Sequence, residues 1–334
     1  MGSSLDLSSL VLTQQRNSRK QCPSNRESQN LTLVSEFYLM GFYVDPEHQS
    51  VLFGLFLSIY LVSVLGNLLI ILAVISDSHL HTPMYFFLSN LSWADMGLIS
   101  TTVPNFIVSI QIHSRVISYV SCLTQMSFYI TFACMDGMLL TVMAYDRFVA
   151  ICHPLNYHVI MNPRLCVTLL LVSFLLSFLE TQLHLLVALQ MTNFKDAEIA
   201  NFFCDPSQVL NLSCYDTFTK SIVQYLVSIV YGMFPMSGIL FSYYKIVSSI
   251  LSMPSSSGRS KAFSTCGSHL SVVFLFWGTG IGVYIGSILS HSSGNSAVSS
   301  IMYSVVTPML NPFIYSLRNR DIKSALRMFH NGII

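Results

Sequence analysis

The chain has 334 residues, of which 52% are hydrophobic and 9% charged, and its formal net charge is +1. Soluble domains carry about 25% charged residues, so this composition excludes them and places the chain in a membrane. The near-neutral charge gives no reason to expect a nucleic-acid partner.

Residues 1–50 are polar and lack the roughly 7–15-residue apolar core of a cleavable signal peptide. Asp6 stands where N-myristoylation needs Ser or Thr. Asn30-Leu31-Thr32 is a glycosylation sequon. Seven apolar stretches then follow, at 51–75, 84–107, 119–148, 165–190, 219–250, 264–288 and 297–317. Each is long enough to cross a bilayer core, which takes about 20 residues. The expected fold is an all-α bundle of seven transmembrane helices over residues 51–317, followed by a short C-terminal amphipathic helix or tail at 318–334.

The second span opens on Pro83-Met84-Tyr85-Phe86-Phe87-Leu88-Ser89-Asn90-Leu91-Ser92 and carries Asp95. The third contains Asp136 and closes on Asp146-Arg147-Phe148. A basic interface anchor would explain Arg147, but not the acid beside it or the Pro154 seven residues on. Asp95 and Asp136 are costly in hydrocarbon unless they face an interior site. Two readings stand: a shared cation, or a protonated pair that only hydrogen-bonds. The fourth span places Glu180 and His184 on one helix face. They either pair with each other or line a cavity and favour a polar or basic ligand.

The loop after the fourth span contains Cys204 within Asn201-Phe202-Phe203-Cys204-Asp205, a second sequon at Asn211, and Cys214. Ser242-Tyr243-Tyr244 ends the fifth span, and Ser255-Ser256-Ser257-Gly258 reads as a short flexible linker. The sixth span begins near Lys261-Ala262-Phe263-Ser264-Thr265-Cys266-Gly267-Ser268-His269-Leu270 and includes Trp277 and, two turns on, Tyr284. The seventh ends on Pro308-Met309-Leu310-Asn311-Pro312-Phe313-Ile314-Tyr315. Pro312 removes a backbone hydrogen bond, and the carbonyl it frees needs a partner inside a membrane. Asn311 is expected to supply one, directly or through water.

Nine basic residues fall on one side of these spans (Arg147, Arg164, Lys245, Arg259, Lys261, Arg318, Arg320, Lys323, Arg327) and three on the other (Arg115, Lys195, Lys220). The positive-inside rule then puts the N-terminus outside and the C-terminus in the cytoplasm, although Arg16, Arg19, Lys20 and Arg26 weigh against it. Cys22, Cys122, Cys204 and Cys214 fall on the oxidising side. No internal repeat, HExxH cluster or nucleotide-binding glycine loop is present, so a transporter or intramembrane enzyme is disfavoured.

The runs at 83–92, 143–157, 261–270 and 308–315, with Ser242-Tyr243-Tyr244, resemble olfactory receptors, within the rhodopsin-like G-protein-coupled receptors. The resemblance runs from about Asn30 onward and leaves 1–29 as an extension. It implies an odorant receptor in the plasma membrane, no enzyme, coupled through a stimulatory olfactory-type G protein to cAMP. It implies a Cys122–Cys204 disulfide, with Cys214 free or paired to Cys22. It assigns coupling to Asp146, Arg147, Tyr244, His269, Asn311, Pro312 and Tyr315, with Asp146 restraining Arg147. It suggests sodium or water between Asp95 and Asp136, and no other cofactor. One-turn spacing and the resemblance together place the ligand, a small and mostly apolar molecule, against Tyr129, Ile130, Ala133, Cys134 and His184. On the sixth and seventh spans they add Trp277, Ile281, Tyr284, Ile301 and Ser304. Membrane lipids are the remaining partner.

Overall fold

The structure, a computed structural model, describes residues 35–41, 46–190, 194, 196–212, 217–252, 255–289, 298–318 and 320–330. Side chains are described within these ranges except at 46–47, 211, 217–225, 228, 261, 264–265, 283–289, 316–318, 320 and 328–330. Among these residues the long apolar stretches form helices: α1 Pro46–Ser76, α2 Pro83–Gln111, α3 Tyr119–Cys152, α4 Pro163–Leu189, α5 Thr217–Ser252 and α6 Ser256–Leu289. A π-helical turn, Met302–Val306, leads into α7, Thr307–Arg318, and α8 is Arg320–His330.

Several boundaries are written locally. Ser118 accepts a hydrogen bond from the Ser121 amide at the start of α3, and Asn162 one from the Leu165 amide at the start of α4. Such caps satisfy amides that have no partner inside the helix. Pro83 and Pro163 occupy first-turn positions, where proline's missing N–H costs nothing. The Ser255–Gly258 segment is not a free linker. Ser255 Oγ accepts from the Gly258 amide and its carbonyl from the Arg259 amide, so α6 starts at Ser256.

The central helix is α3, which packs against α2, α4, α5 and α6, while α1 lies on α2 and α7. Three helical stretches have the length and apolarity to cross a membrane among the described residues: His48–Ser76, Tyr119–Cys152 and Pro163–Leu189. The other stretches are helical as expected but more polar, or lie partly outside the described residues. At one end of the bundle three short strands, β1 Glu36–Leu39, β2 Val116–Ser118 and β3 Glu198–Ile199, form a sheet in the order β2-β1-β3. Phe37 pairs with Ile117 antiparallel and Tyr38 with Glu198 in parallel. Arg147 sits toward the opposite end.

Pro312 frees the Pro308 carbonyl, four residues earlier. Its partner is Asn67 of α1, whose Nδ2 donates at 3.2 Å, and not Asn311. Gly66 makes the approach possible, since a Cβ there would lie 3.1 Å from Pro312 Cβ.

Candidate functional site

A cavity of about 400 Å³ opens among α3, α5, α6 and α7. Tyr129 of α3 and Tyr303 before α7 form one side, and Phe276, Trp277, Gly280 and Ile281 of α6 another. Ile229, Gly232, Met233 and Met236 of α5 complete it. The lining is aromatic and aliphatic with few polar atoms, the usual make-up of a small-molecule site. Gly232 leaves room: a Cβ there would meet Trp277 Cζ3 at 3.9 Å and nothing nearer.

Of the residues expected from sequence, Tyr129, Trp277 and Ile281 line this cavity. Ile130, Ala133, Cys134, His184, Ile301 and Ser304 do not. Ile130 and Ala133 are buried in a cluster with Leu98, Ile99 and Phe106 of α2, against which Cys134 and Ile301 also pack. Ser304 Oγ donates to the Ser300 carbonyl, and His184 Nδ1 meets the Glu180 carbonyl at 3.1 Å. The Tyr284 side chain lies outside the described residues, as do Asn30, Cys22, Cys214 and the Asn211 side chain. Spacing from the motifs found the α3 and α6 walls. The α5 wall was missed because Ile229-Val230-Tyr231-Gly232-Met233 is apolar on every face and marks none.

Above the cavity the loop between α4 and α5 is fixed at several points. Cys122 and Cys204 form a disulfide with Cα atoms 5.4 Å apart. Gln125, one turn along α3, accepts from the Cys204 amide at 2.9 Å and donates to the Thr101 carbonyl of α2 at 2.9 Å. Phe202 packs edge-on to Phe106, and Phe203 tilts against Tyr129. Asn201 donates to Ser300 Oγ at 2.9 Å. Asp205 accepts from the Ser207 hydroxyl and from the Ser207 and Gln208 amides. Burial raises the Asp205 carboxyl above its ordinary range and these bonds draw it back.

Midway down the bundle Asn311 Nδ2 donates to both oxygens of Asp95 at 2.9 Å. Asp136 Oδ1 and Asn311 Oδ1 are buried with no partner. Asp95 and Asp136 lie within electrostatic reach of each other. No group of three His, Cys, Asp or Glu side chains placed to hold a metal exists among the described residues.

Toward the Arg147 end, two expectations take a different form. Tyr244 is 71% exposed and faces away from the bundle. Its neighbour Tyr243, about 100° around the helix, is buried instead. Tyr243 hydroxyl meets His269 Nδ1 at 2.7 Å and His269 Nε2 meets the Leu140 carbonyl at 3.1 Å. A carbonyl only accepts, so Nε2 carries the proton and Tyr243 donates. Asp146 makes no ion pair with Arg147 among the described residues. Its Oδ1 accepts from the Tyr157 hydroxyl at 2.8 Å, while Arg147 Nε is buried without a partner. Burial and the nearby carboxylate push the Tyr157 pKa up, so the hydroxyl stays a donor. Tyr243, His269 and Tyr315 all lie within electrostatic reach of Arg147. One residue each from α5, α6 and α7 therefore feels the charge on α3.

A family description, "Olfactory receptor", matches residues 56–331. Human olfactory receptor 7E24 is 67% identical over 315 residues, 94% of this chain and 93% of that protein. Mouse olfactory receptor 7E178 is 63% identical over 322 residues, covering 96% and 97%. The crystal structure of squid rhodopsin superimposes with a TM-score of 0.67 at 16% identity, covering 89% of this chain and 92% of that one, which identifies a shared fold. A family match over most of the chain and identity above 60% along nearly its whole length leave one conclusion: the chain belongs to the olfactory receptor family, membrane receptors and not enzymes.

Proposed function

We propose that the protein is an odorant receptor of the plasma membrane whose ligands bind in the cavity among α3, α5, α6 and α7 and activate a stimulatory heterotrimeric G protein, raising cAMP. The observation that carries this reading is the alignment of three features along α3. The Cys122-pinned loop covers one end, Tyr129 lines the cavity, and Arg147 lies at the other, within electrostatic reach of Tyr243, His269 and Tyr315. The N-terminus lies outside, with 1–50 extracellular, 51–317 the receptor domain and 318–334 cytoplasmic. Disulfides persist in oxidising compartments, which supports placing the Cys122 end outside.

A ligand of about 12 heavy atoms at roughly 0.5 kcal/mol each gains about 6 kcal/mol, so half-maximal responses fall at tens of micromolar. Signalling requires that the ligand favour the active arrangement over the resting one. Trp277 is the side chain we assign to sense it, because it lines the cavity on the helix that also carries His269. Asn311, Pro312 and Tyr315 then move with α7, which Pro312 leaves pliable near its Arg147 end.

For a sodium ion, Asp95, Asp136 and the free Asn311 oxygen supply the oxygen donors a hard cation takes; a shared proton is the alternative, and only the cation predicts thermal stabilisation by sodium over potassium. The test of the function is a cAMP reporter screen of surface-expressed receptor against a chemically broad odorant panel. Concentration-dependent cAMP that is lost in Trp277→Ala at equal surface expression is the expected result. Silence across the panel, or responses indifferent to Trp277, would overturn the reading.

A further inference from the structure

The cavity wall carries few polar atoms, and they are not spread evenly. None of its ten lining residues is charged. Glu180 and His184, which from the sequence could have favoured a basic ligand, are not among them. Three lining side chains carry a nitrogen or an oxygen: Tyr129, Trp277 and Tyr303. Trp277 Nε1 is fully buried without a partner, so it borders no open space. The two tyrosines differ from it. Neither hydroxyl has a hydrogen bond to a described residue, and neither is fully buried.

These tyrosines stand side by side. One belongs to α3 and the other to the π-helical turn before α7, and their ring centroids are 6.3 Å apart in an edge-on arrangement. Neighbouring hydroxyls are already spent on their own helices. Thr279 donates to the Leu275 carbonyl, Ser304 to the Ser300 carbonyl and Thr307 to the Met302 carbonyl. The α5 wall, with Ile229, Met233 and Met236, offers no hydrogen-bond donor from its side chains. The cavity is therefore two-sided, with two free hydroxyls on the α3 and α7 side and an apolar remainder.

We infer that the cavity selects neutral carbonyl compounds: molecules with an apolar skeleton and a ketone-type oxygen that accepts hydrogen bonds from the Tyr129 and Tyr303 hydroxyls, while the hydrocarbon part lies against α5 and α6. Polar groups inside a protein are nearly always paired, and a hydroxyl kept from water without a partner is costly. Two such groups facing one space favour an occupant that pairs them. A phenol donates one proton, and a carbonyl oxygen has two lone pairs to receive donors. A ligand lacking that oxygen leaves both hydroxyls unpaired, which is how sites built to hydrogen-bond reject apolar analogues. An ammonium or carboxylate would enter an uncharged wall with no counter-ion, at a larger cost. Tyr129 and Tyr303 act as specificity residues. The inference rests on the cavity being the ligand site proposed above.

The test pairs each ketone with the alkene in which a methylene group replaces the carbonyl oxygen: 2-octanone with 2-methyl-1-octene, acetophenone with α-methylstyrene, cyclohexanone with methylenecyclohexane. Responses are read as cAMP at matched surface staining. At least one ketone is expected to act at lower concentration than its alkene, with octylamine and octanoate inactive. Combining Tyr129→Phe with Tyr303→Phe should weaken that ketone at least about tenfold without lowering its maximal response, and leave its alkene within about twofold. Tenfold corresponds to about 1.4 kcal/mol, the scale of neutral hydrogen bonds lost. If the double variant fails to reach the surface, the single variants decide, each weakening the ketone at least about threefold. Alkenes as potent as their ketones, ketones indifferent to loss of the hydroxyls, equal losses of both classes, or activation by octylamine or octanoate would overturn the inference. So would silence towards all three ketones while other odorants act through Trp277, a result that leaves the cavity standing. Responses indifferent to Trp277→Ala would instead reject the cavity itself.

Discussion

At the scale of single residues, glycine positions decide what the roof and the cavity tolerate. A Cβ at Gly41 would lie 2.2 Å from the Phe202 amide nitrogen and 2.3 Å from the Asn201 carbonyl carbon. Both are backbone atoms of a loop tied down by Cys204, Gln125 and Ser300, so neither can yield. Gly41→Ala should therefore part the end of β1 from this loop and lower surface delivery and thermal stability. Gly54 is the control, with nothing within 4 Å of its built Cβ; alanine there should be neutral, or more stable by up to about 1 kcal/mol from helix propensity. Flow cytometry and a thermal-shift assay on both variants would check this, and equal behaviour of the two would refute the roof contact. Gly232 differs because its missing side chain opens into the cavity. Gly232→Phe should fill that space and abolish responses to bulky ligands at unchanged expression. An unaltered dose–response curve for every agonist would show that ligands bind elsewhere.

At the scale of elements, the Cys122–Cys204 bond joins α3 to the loop before α5 across 82 residues of sequence. Removing such a bond typically costs about 2–5 kcal/mol. Cys122→Ser and Cys204→Ser should each reduce surface expression, and the double variant should be little worse, since one bond is lost in all three. Additive losses would show that the two cysteines act separately. Element existence was legible in the sequence because apolar runs of spanning length leave few alternatives. Facing was not. Tyr243 and Tyr244 are adjacent tyrosines of equal apolarity, and a helix turns about 100° between them, so only packing shows that the first faces His269. The partner of the Pro308 carbonyl was equally hidden, because Asn67 is 241 residues away in the chain and no local spacing points to it. Tyr157 was invisible as a partner for Asp146 for a simpler reason. It lies beyond the helix, and its approach depends on the turn made by Pro154–Asn156 and Tyr157–Ile160.

At the scale of the whole molecule, the proposed function requires a ligand near Tyr129 to be felt at Arg147, eighteen residues and about five turns along α3. Interiors packed like this one transmit displacement between discrete arrangements and do not absorb it. Two contacts near Arg147 stand out: His269 ties α5 and α6 to the Leu140 carbonyl of α3, and Asp146 is held by Tyr157 instead of by the arginine. Arg147 is therefore not locked by its neighbour, and its buried Nε is already without a hydrogen bond. A guanidinium in that state is poised to gain a partner when α6 or α7 shifts, or when a G protein offers a carbonyl. Arg147→Ala should abolish ligand-driven cAMP while leaving surface delivery largely intact, because no hydrogen bond among the described residues depends on it. Arg147→Lys keeps the charge but loses the planar donor fork, and should recover only part of the response. Tyr243→Phe removes the hydroxyl that donates to His269, and should alter basal and ligand-driven signalling. Tyr244→Phe, on the exposed face, should change neither. The measurement is cAMP at matched surface staining across the four variants. A full response from Arg147→Ala, or equal effects at Tyr243 and Tyr244, would remove α3 as the path between cavity and G protein.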